Sequence, residues 1–366
     1  MKIREIRCYE VDLRISLGPY RSAKGSLTTV KSTILAVETD TGLLGWGEVC
    51  PFGANYLPAL PGGVQSVIEE LAPALIGQDP RMTEAIHARM DAAVDQQLYV
   101  KTGIDYACWD ILGQDAGLPI YALLGGMQSK RLPLIASVPG SVQGMTDAVE
   151  YYRGKGYRQF SLHIAKPDWD DFDAYRETIA SFDRKTRLIV DANRSWNVAT
   201  ALEIARAFDD LPIFLEQPVY DIAQLESLRP KIGLPLIADE VIVTTQDIAA
   251  VASRGIADAI ALKIGRVGGL SKARRICDIA DVFGIPYWIK DVIGAEIATV
   301  ATAHLAHARD PKQMAGALSC VDIVDTVTGQ VSLVHENGEM FIPGDKPGLG
   351  FVPDASVLGD VVARYR

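Results

Sequence analysis

The chain has 366 residues, 48% hydrophobic and 22% charged, which excludes disordered and fibrous classes and leaves room for a large core in more than one structural unit. Its 36 Lys and Arg against 46 Asp and Glu give a net charge of −10. That field repels phosphate backbones and anionic lipid heads, so neither nucleic acid nor a membrane surface is the expected partner. Cys8, Cys50, Cys108, Cys277 and Cys320 are odd in number, widely spread and without a CxxC pair. They argue against a disulfide framework or a thiolate zinc site and fit a reducing cytoplasm.

The start, MKIREIRCYEVDL, alternates like a strand and has no apolar leader, and no later run reaches the roughly 18 apolar residues of a membrane span. Residues 29–49 read as two more strands around the Thr41-Gly42 turn. From 64 to 124 apolar residues recur at helical spacing, so residues 1–125 are expected to form one α+β unit. Beyond 130, eight short apolar runs alternate with amphipathic helices: PLIASV, FSLHI, RLIVDA, IFLEQP, PLIADE, AIALKIG, PYWIKDV and MAGALS. Their polar ends, from His163 through Asp191, Glu216, Asp239 and Lys263 to Asp291, recur every 23 to 28 residues, one βα unit apart. Continuous apolar strands in this rhythm predict a parallel sheet covered by helices, closed into a barrel over 126–340. Roughly 215 residues is tight for eight full units, so one helix is expected to be missing or displaced. The Gly/Pro-rich tail 341–366 is expected to pack back on the N-terminal unit.

Asp191, Glu216 and Asp239 each end an apolar strand-like run on three successive units. Buried carboxylates there need a cation, and three hard oxygen ligands on rigid strand ends suit Mg²⁺. The competing reading makes them helix N-caps at βα turns. Lys263 follows one unit later; beside a divalent cation its ammonium form is destabilised, which makes it a candidate base, with a salt bridge to one of the three carboxylates as the alternative. His163, paired by alternation with Ser161, is either a core hydrogen-bonding residue or a second acid/base group.

Taken in order, GWGE at 45–48, IDYACWDILGQDAGLPIYALLGG at 104–126, VDANRSW, FLEQP, ADE and LKIGRVGG resemble the enolase superfamily, in particular its muconate lactonizing enzyme subgroup, over nearly the whole chain. The resemblance implies a capping domain on a (β/α)7β modified TIM barrel, Mg²⁺ on Asp191, Glu216 and Asp239, Lys263 as acid or base, and a homo-oligomer. It departs on the second barrel strand, where the subgroup carries Lys-x-Lys and this chain has Ser161-Leu162-His163. An imidazole, with an ordinary pKa of roughly 6.5, needs no helper cation to act as a base, so His163 takes the second position. Lys166 and Lys290 are alternatives. The seventh strand carries Lys290-Asp291 in place of the histidine of the mandelate racemase subgroup.

The implied chemistry is removal of the proton next to a carboxylate, with charge stabilised as an enediolate. Return of a proton from the opposite face gives racemisation or epimerisation, and loss of a β hydroxyl gives dehydration. Substrate selection is expected from LGPYRSAKGSL (17–27) and PFGANYLP (51–58), through Tyr20, Arg21, Lys24, Phe52 and Tyr56, with Asn193, Lys290, Asp291 and Trp288 on the barrel side. These loops are similar to those of the branch acting on hydroxyproline-like and betaine-like substrates, which favours a small cyclic amino or hydroxy acid. Cycloisomerisation of a muconate-type diacid, or metal binding without turnover, remain the other readings.

Overall fold

The computed structural model describes residues 1–366 except 17–19, 23–24, 54–55, 57, 139–140, 165–168 and 184, and omits the side chains of 20–22, 25–26 and 169–171. Lys24 and Lys166, and the side chains of Tyr20 and Arg21, therefore lie outside the described residues.

Ile3–Arg14, Thr29–Thr39 and Leu44–Val49 form an antiparallel meander. Its tight reversal needs Gly42, whose φ of 86° lies in the left-handed region that glycine tolerates. The C-terminal strand Ala363–Tyr365 adds to the free edge beside Ile3–Arg14. Helices Val64–Leu75, Thr83–Ala93 and Leu98–Ala116 cover this sheet. The last is buried on almost every side, because it lies between the capping sheet and the helical turns after the sixth barrel strand. The two glycines of GWGE explain the close approach: a Cβ on Gly47 would meet the Gly103 carbonyl oxygen at 1.8 Å, and one on Gly45 the Ala107 oxygen at 2.2 Å.

The eight apolar runs form eight parallel strands in sequential order: Ile135–Val138, Gln159–His163, Arg187–Asp191, Ile213–Glu216, Leu236–Ala238, Ala259–Lys263, Tyr287–Lys290 and Met314–Ala317. A parallel bridge between Leu134 and Ala317 joins the first to the last and closes the barrel. Strands one to seven are each followed by a helix, whereas the eighth leads into a single 3₁₀ turn, Cys320–Asp322. This is the (β/α)7β count, and it accounts for the short barrel length. Among the described residues no helix is long and apolar enough to cross a membrane.

Trp288 does not reach the substrate side. Side chains two apart on a strand share the inward face but occupy different layers, so Lys290 reaches the mouth while Trp288 lies in the floor. There its indole donates to Gln159 Oε1 at 2.8 Å and packs on Phe214.

Candidate active site

His163, Asp191, Glu216, Lys263 and Lys290 are each the last residue of a barrel strand, and Asp239 is one beyond. In parallel register His163 sits beside Asp191, Asp191 beside Glu216, and Lys263 beside Lys290. Inward-facing strand ends converge at the carboxyl mouth. The three carboxylates are not helix caps. The helices that follow their strands are capped by Asn197, Asp221 and Thr244, each with a side-chain oxygen on a first-turn amide.

Asp191, Glu216 and Asp239 are buried, and a ligand oxygen from each lies within 4.8 Å of the others. Burial and the neighbouring Asp191 and Asp239 push Glu216 up to about 8, even with the Lys290 ammonium against both its oxygens at 2.9 and 3.1 Å. Three buried like charges at this separation call for a cation. The all-oxygen donor set fits a hard divalent ion.

Two left-handed residues hold the ligands in place. Asn193 (φ 45°) turns back so that its backbone N–H and Nδ2 each donate to Asp191 at 2.8 Å. Gln217 (φ 38°) accepts from the Asp239 amide at 2.9 Å. The Asn193 oxygen lies 3.1 Å from His163 Nδ1, and Asp191 Oδ2 lies 3.4 Å from it. Two acceptors at Nδ1 keep the proton there, which leaves Nε2 as the basic lone pair, facing the Ser137 hydroxyl at 2.8 Å.

On the other side Lys263 pairs with Asp239 at 2.8 Å and donates to the hydroxyl of Tyr56 from the capping loop. Burial presses the Lys263 pKa down, but Asp239, together with Tyr56 and Glu240, outweighs it and holds the ammonium well above its ordinary value. Lys263 thus makes the salt bridge to one of the three carboxylates that the sequence offers as its alternative, and the lowering expected beside a divalent cation belongs to the metal-bound site. Arg266 occupies the remaining oxygen: its Nη1 reaches Asp239 Oδ1 at 2.6 Å and its Nη2 donates to Tyr56 at 3.1 Å. Asp239 is accordingly held well below the carboxylate range, against the effect of burial. Asp291 accepts from Gly265 N, Val292 N and the Tyr106 hydroxyl at 2.7–3.1 Å, which ties the seventh strand to the capping helix.

Ser137, Ser161, His163, Asp191, Lys263, Lys290 and Asp291 enclose an inner cavity of 30 Å³, about one water in size. Beyond Tyr56, a cavity of 310 Å³ lies between the capping segment Gln96–Tyr99 and the barrel residues Arg194, Glu240 and Arg266. Phe52 is buried and edge-on to Tyr56, so it backs that ring. Sequence reasoning missed Arg266, Ser137 and Glu240. Only Arg266 had a usable signal: Lys263 starts a one-turn helix, Ile264–Val267, which brings position 266 back over the mouth.

Residues 3–125 match the family model "Mandelate racemase / muconate lactonizing enzyme, N-terminal domain", and 144–357 match "Enolase C-terminal domain-like". The chain is 37% identical over 369 residues to a cis-3-hydroxy-L-proline dehydratase of Roseibium aggregatum, covering 100% of both chains. It is 28% identical to an N-succinyl-L-Arg/Lys racemase of Bacillus cereus, covering 99% of this chain and 98% of that one. A solved enolase-superfamily member from Roseovarius nubinhibens ISM, complexed with magnesium, superposes with a TM-score of 0.92 at 33% identity, over 100% of this chain and 99% of that one. With both domains matched and a full-length relative at this identity, the chain belongs to the enolase superfamily, in its mandelate racemase/muconate lactonizing enzyme family.

Proposed function

We propose that the protein is a Mg²⁺-dependent enzyme that removes the proton α to a carboxylate of a small cyclic, hydroxyproline-like amino acid, leading to dehydration or epimerisation. The observation that carries this reading is the inner cavity, lined by His163 from the second strand and Lys263 from the sixth. In an eight-stranded barrel of sequential order these strands stand opposite each other. The full-length identity to a hydroxyproline dehydratase supports the cyclic substrate, and the racemase relative supports epimerisation as the second outcome.

Asp191, Glu216 and Asp239 would hold the metal, which when bound supplies positive charge for the substrate carboxylate and for the charge that develops there. Lys263 serves as a base only once Asp239 no longer holds its ammonium. It then takes the α proton, and the C–H electron pair moves toward the carboxylate. His163 Nε2 waits on the opposite face with Ser137 fixing its ring. Protonated there, it returns a proton to the α carbon for epimerisation. For dehydration it gives that proton to a β hydroxyl as the C–O bond breaks, so water leaves and a C=C bond forms. Tyr56 and Lys290 are assigned to contacts with the substrate, and Asn193 and Asp291 to holding the groups that meet it.

We place the enzyme in the cytoplasm, where its five buried free cysteines stay reduced, and expect a homo-oligomer. The test is proton NMR in D₂O with Mg²⁺ and a panel of hydroxyprolines, prolines and acyclic amino and sugar acids. Exchange of an α proton or loss of a β hydroxyl supports the reading. A complete absence of both across the panel, with Mg²⁺ shown to bind, contradicts it.

A further inference from the structure

Glu240 directly follows the third carboxylate, is buried, and neither of its carboxylate oxygens has a hydrogen-bond partner. A buried acidic group left this way carries a large penalty unless another state of the protein gives it a partner. The cationic side chains that share its cavity are Arg194 and Arg266. Arg194 reaches only its backbone carbonyl. Yet Lys263 and Arg266 are both committed to Asp239, one on each oxygen. With a cation against each oxygen, Asp239 meets an arriving metal ion against like charge, so withdrawal of one of the two favours the metal.

Arg266 and Glu240 both line the 310 Å³ cavity, which gives the guanidinium room to turn. We propose that Glu240 is the alternative acceptor for Arg266: when a divalent cation takes Asp239, Arg266 moves onto the orphaned carboxylate of Glu240. A planar guanidinium with two parallel N–H groups suits both of those oxygens. The move also withdraws the Arg266 hydrogen bond from Tyr56, so metal arrival is coupled to the capping loop that touches Lys263. Glu240 is thus a positioning residue, and the inference rests on the divalent-cation reading above.

The test is calorimetric titration of the full chain with Mg²⁺, comparing wild type, Glu240→Gln, Arg266→Met and the double variant. Glu240→Gln is expected to weaken Mg²⁺ binding at least tenfold, because Arg266 then stays on Asp239. Arg266→Met is expected to bind Mg²⁺ at least as tightly as wild type. Adding Glu240→Gln to Arg266→Met is expected to change affinity less than twofold. Wild-type affinity in Glu240→Gln overturns the inference. So does a tenfold loss that persists without Arg266, which would mean that Glu240 acts only as a remote negative charge. If wild type binds no Mg²⁺, the divalent reading falls and this inference with it. Arg266→Gln, which also removes the cation, replaces Arg266→Met in the cycle if the latter does not fold.

Discussion

Glu48, the acid of GWGE, belongs to the capping sheet, yet its partners lie in the barrel. Its Oε1 accepts from the Ala295 amide and the Ser32 hydroxyl, both at 2.8 Å, and its Oε2 accepts from the Ala298 amide at 3.1 Å. Ala295 is the N-cap of the helix Glu296–His307, so a cap-domain carboxylate satisfies open amides at the start of a barrel helix and faces the positive end of its dipole. Glu48→Ala leaves three buried donors without an acceptor. At roughly 1–3 kcal/mol each, reduced by relaxation, the loss is about 4 kcal/mol. For a chain of this length that lowers the melting temperature by about 5 °C. Glu48→Gln keeps one oxygen for two of the donors and sets its amide against only the third, so it is expected to cost about 1–2 kcal/mol. The assay is calorimetric melting of both variants at pH 7. A Glu48→Ala protein melting within about 1 °C of wild type, or no more stable Gln variant, would refute the claim that this carboxylate pins the capping sheet to the barrel.

Gly47→Ala would place a methyl group 1.8 Å from the Gly103 oxygen, so a loss of about 3 kcal/mol or more is expected, read as a lower melting temperature or failure to accumulate folded protein. His304 is held neutral: burial pushes its imidazole down to about 3, while its Nδ1 accepts from the Tyr121 amide at 3.2 Å. Because its folded pKa lies below the unfolded value, its stabilising contribution is present above pH 6.5 and is lost as pH falls toward 3. By pH 4.5 that loss is about 3 kcal/mol. In His304→Phe, denaturant unfolding between pH 7 and 4.5 should therefore show a correspondingly weaker acid dependence; an unchanged dependence would refute the assignment.

The barrel was legible because its strands are apolar throughout and their polar ends recur once per βα unit, a signal that survives without any tertiary information. Asp191, Glu216, Asp239 and Lys263 were legible for the same reason, each being the first polar residue after a buried run. What escaped reading depends on contacts far apart in sequence. Glu48 meets amides at 295 and 298, and Ser137 meets His163 across adjacent strands. Alternation gives Ser137 a face but no partner. Trp288 was misplaced because a two-residue period fixes the face of a strand residue and says nothing about its layer. Glu240 reads as an ordinary charged residue in a loop; its interest arises only where Asp239 is seen with a cation on each oxygen.

The most direct test of two opposed bases is α-deuterium incorporation from D₂O, with Mg²⁺ present, into each antipode of the exchanging substrate by Lys263→Ala and His163→Ala. The opposed arrangement requires that each variant still exchange at most one antipode, the one whose α proton faces the base that remains, and that the two variants differ in which antipode that is. Undiminished exchange of both antipodes by His163→Ala would show that Lys263 works without an opposing imidazole, and would contradict the account.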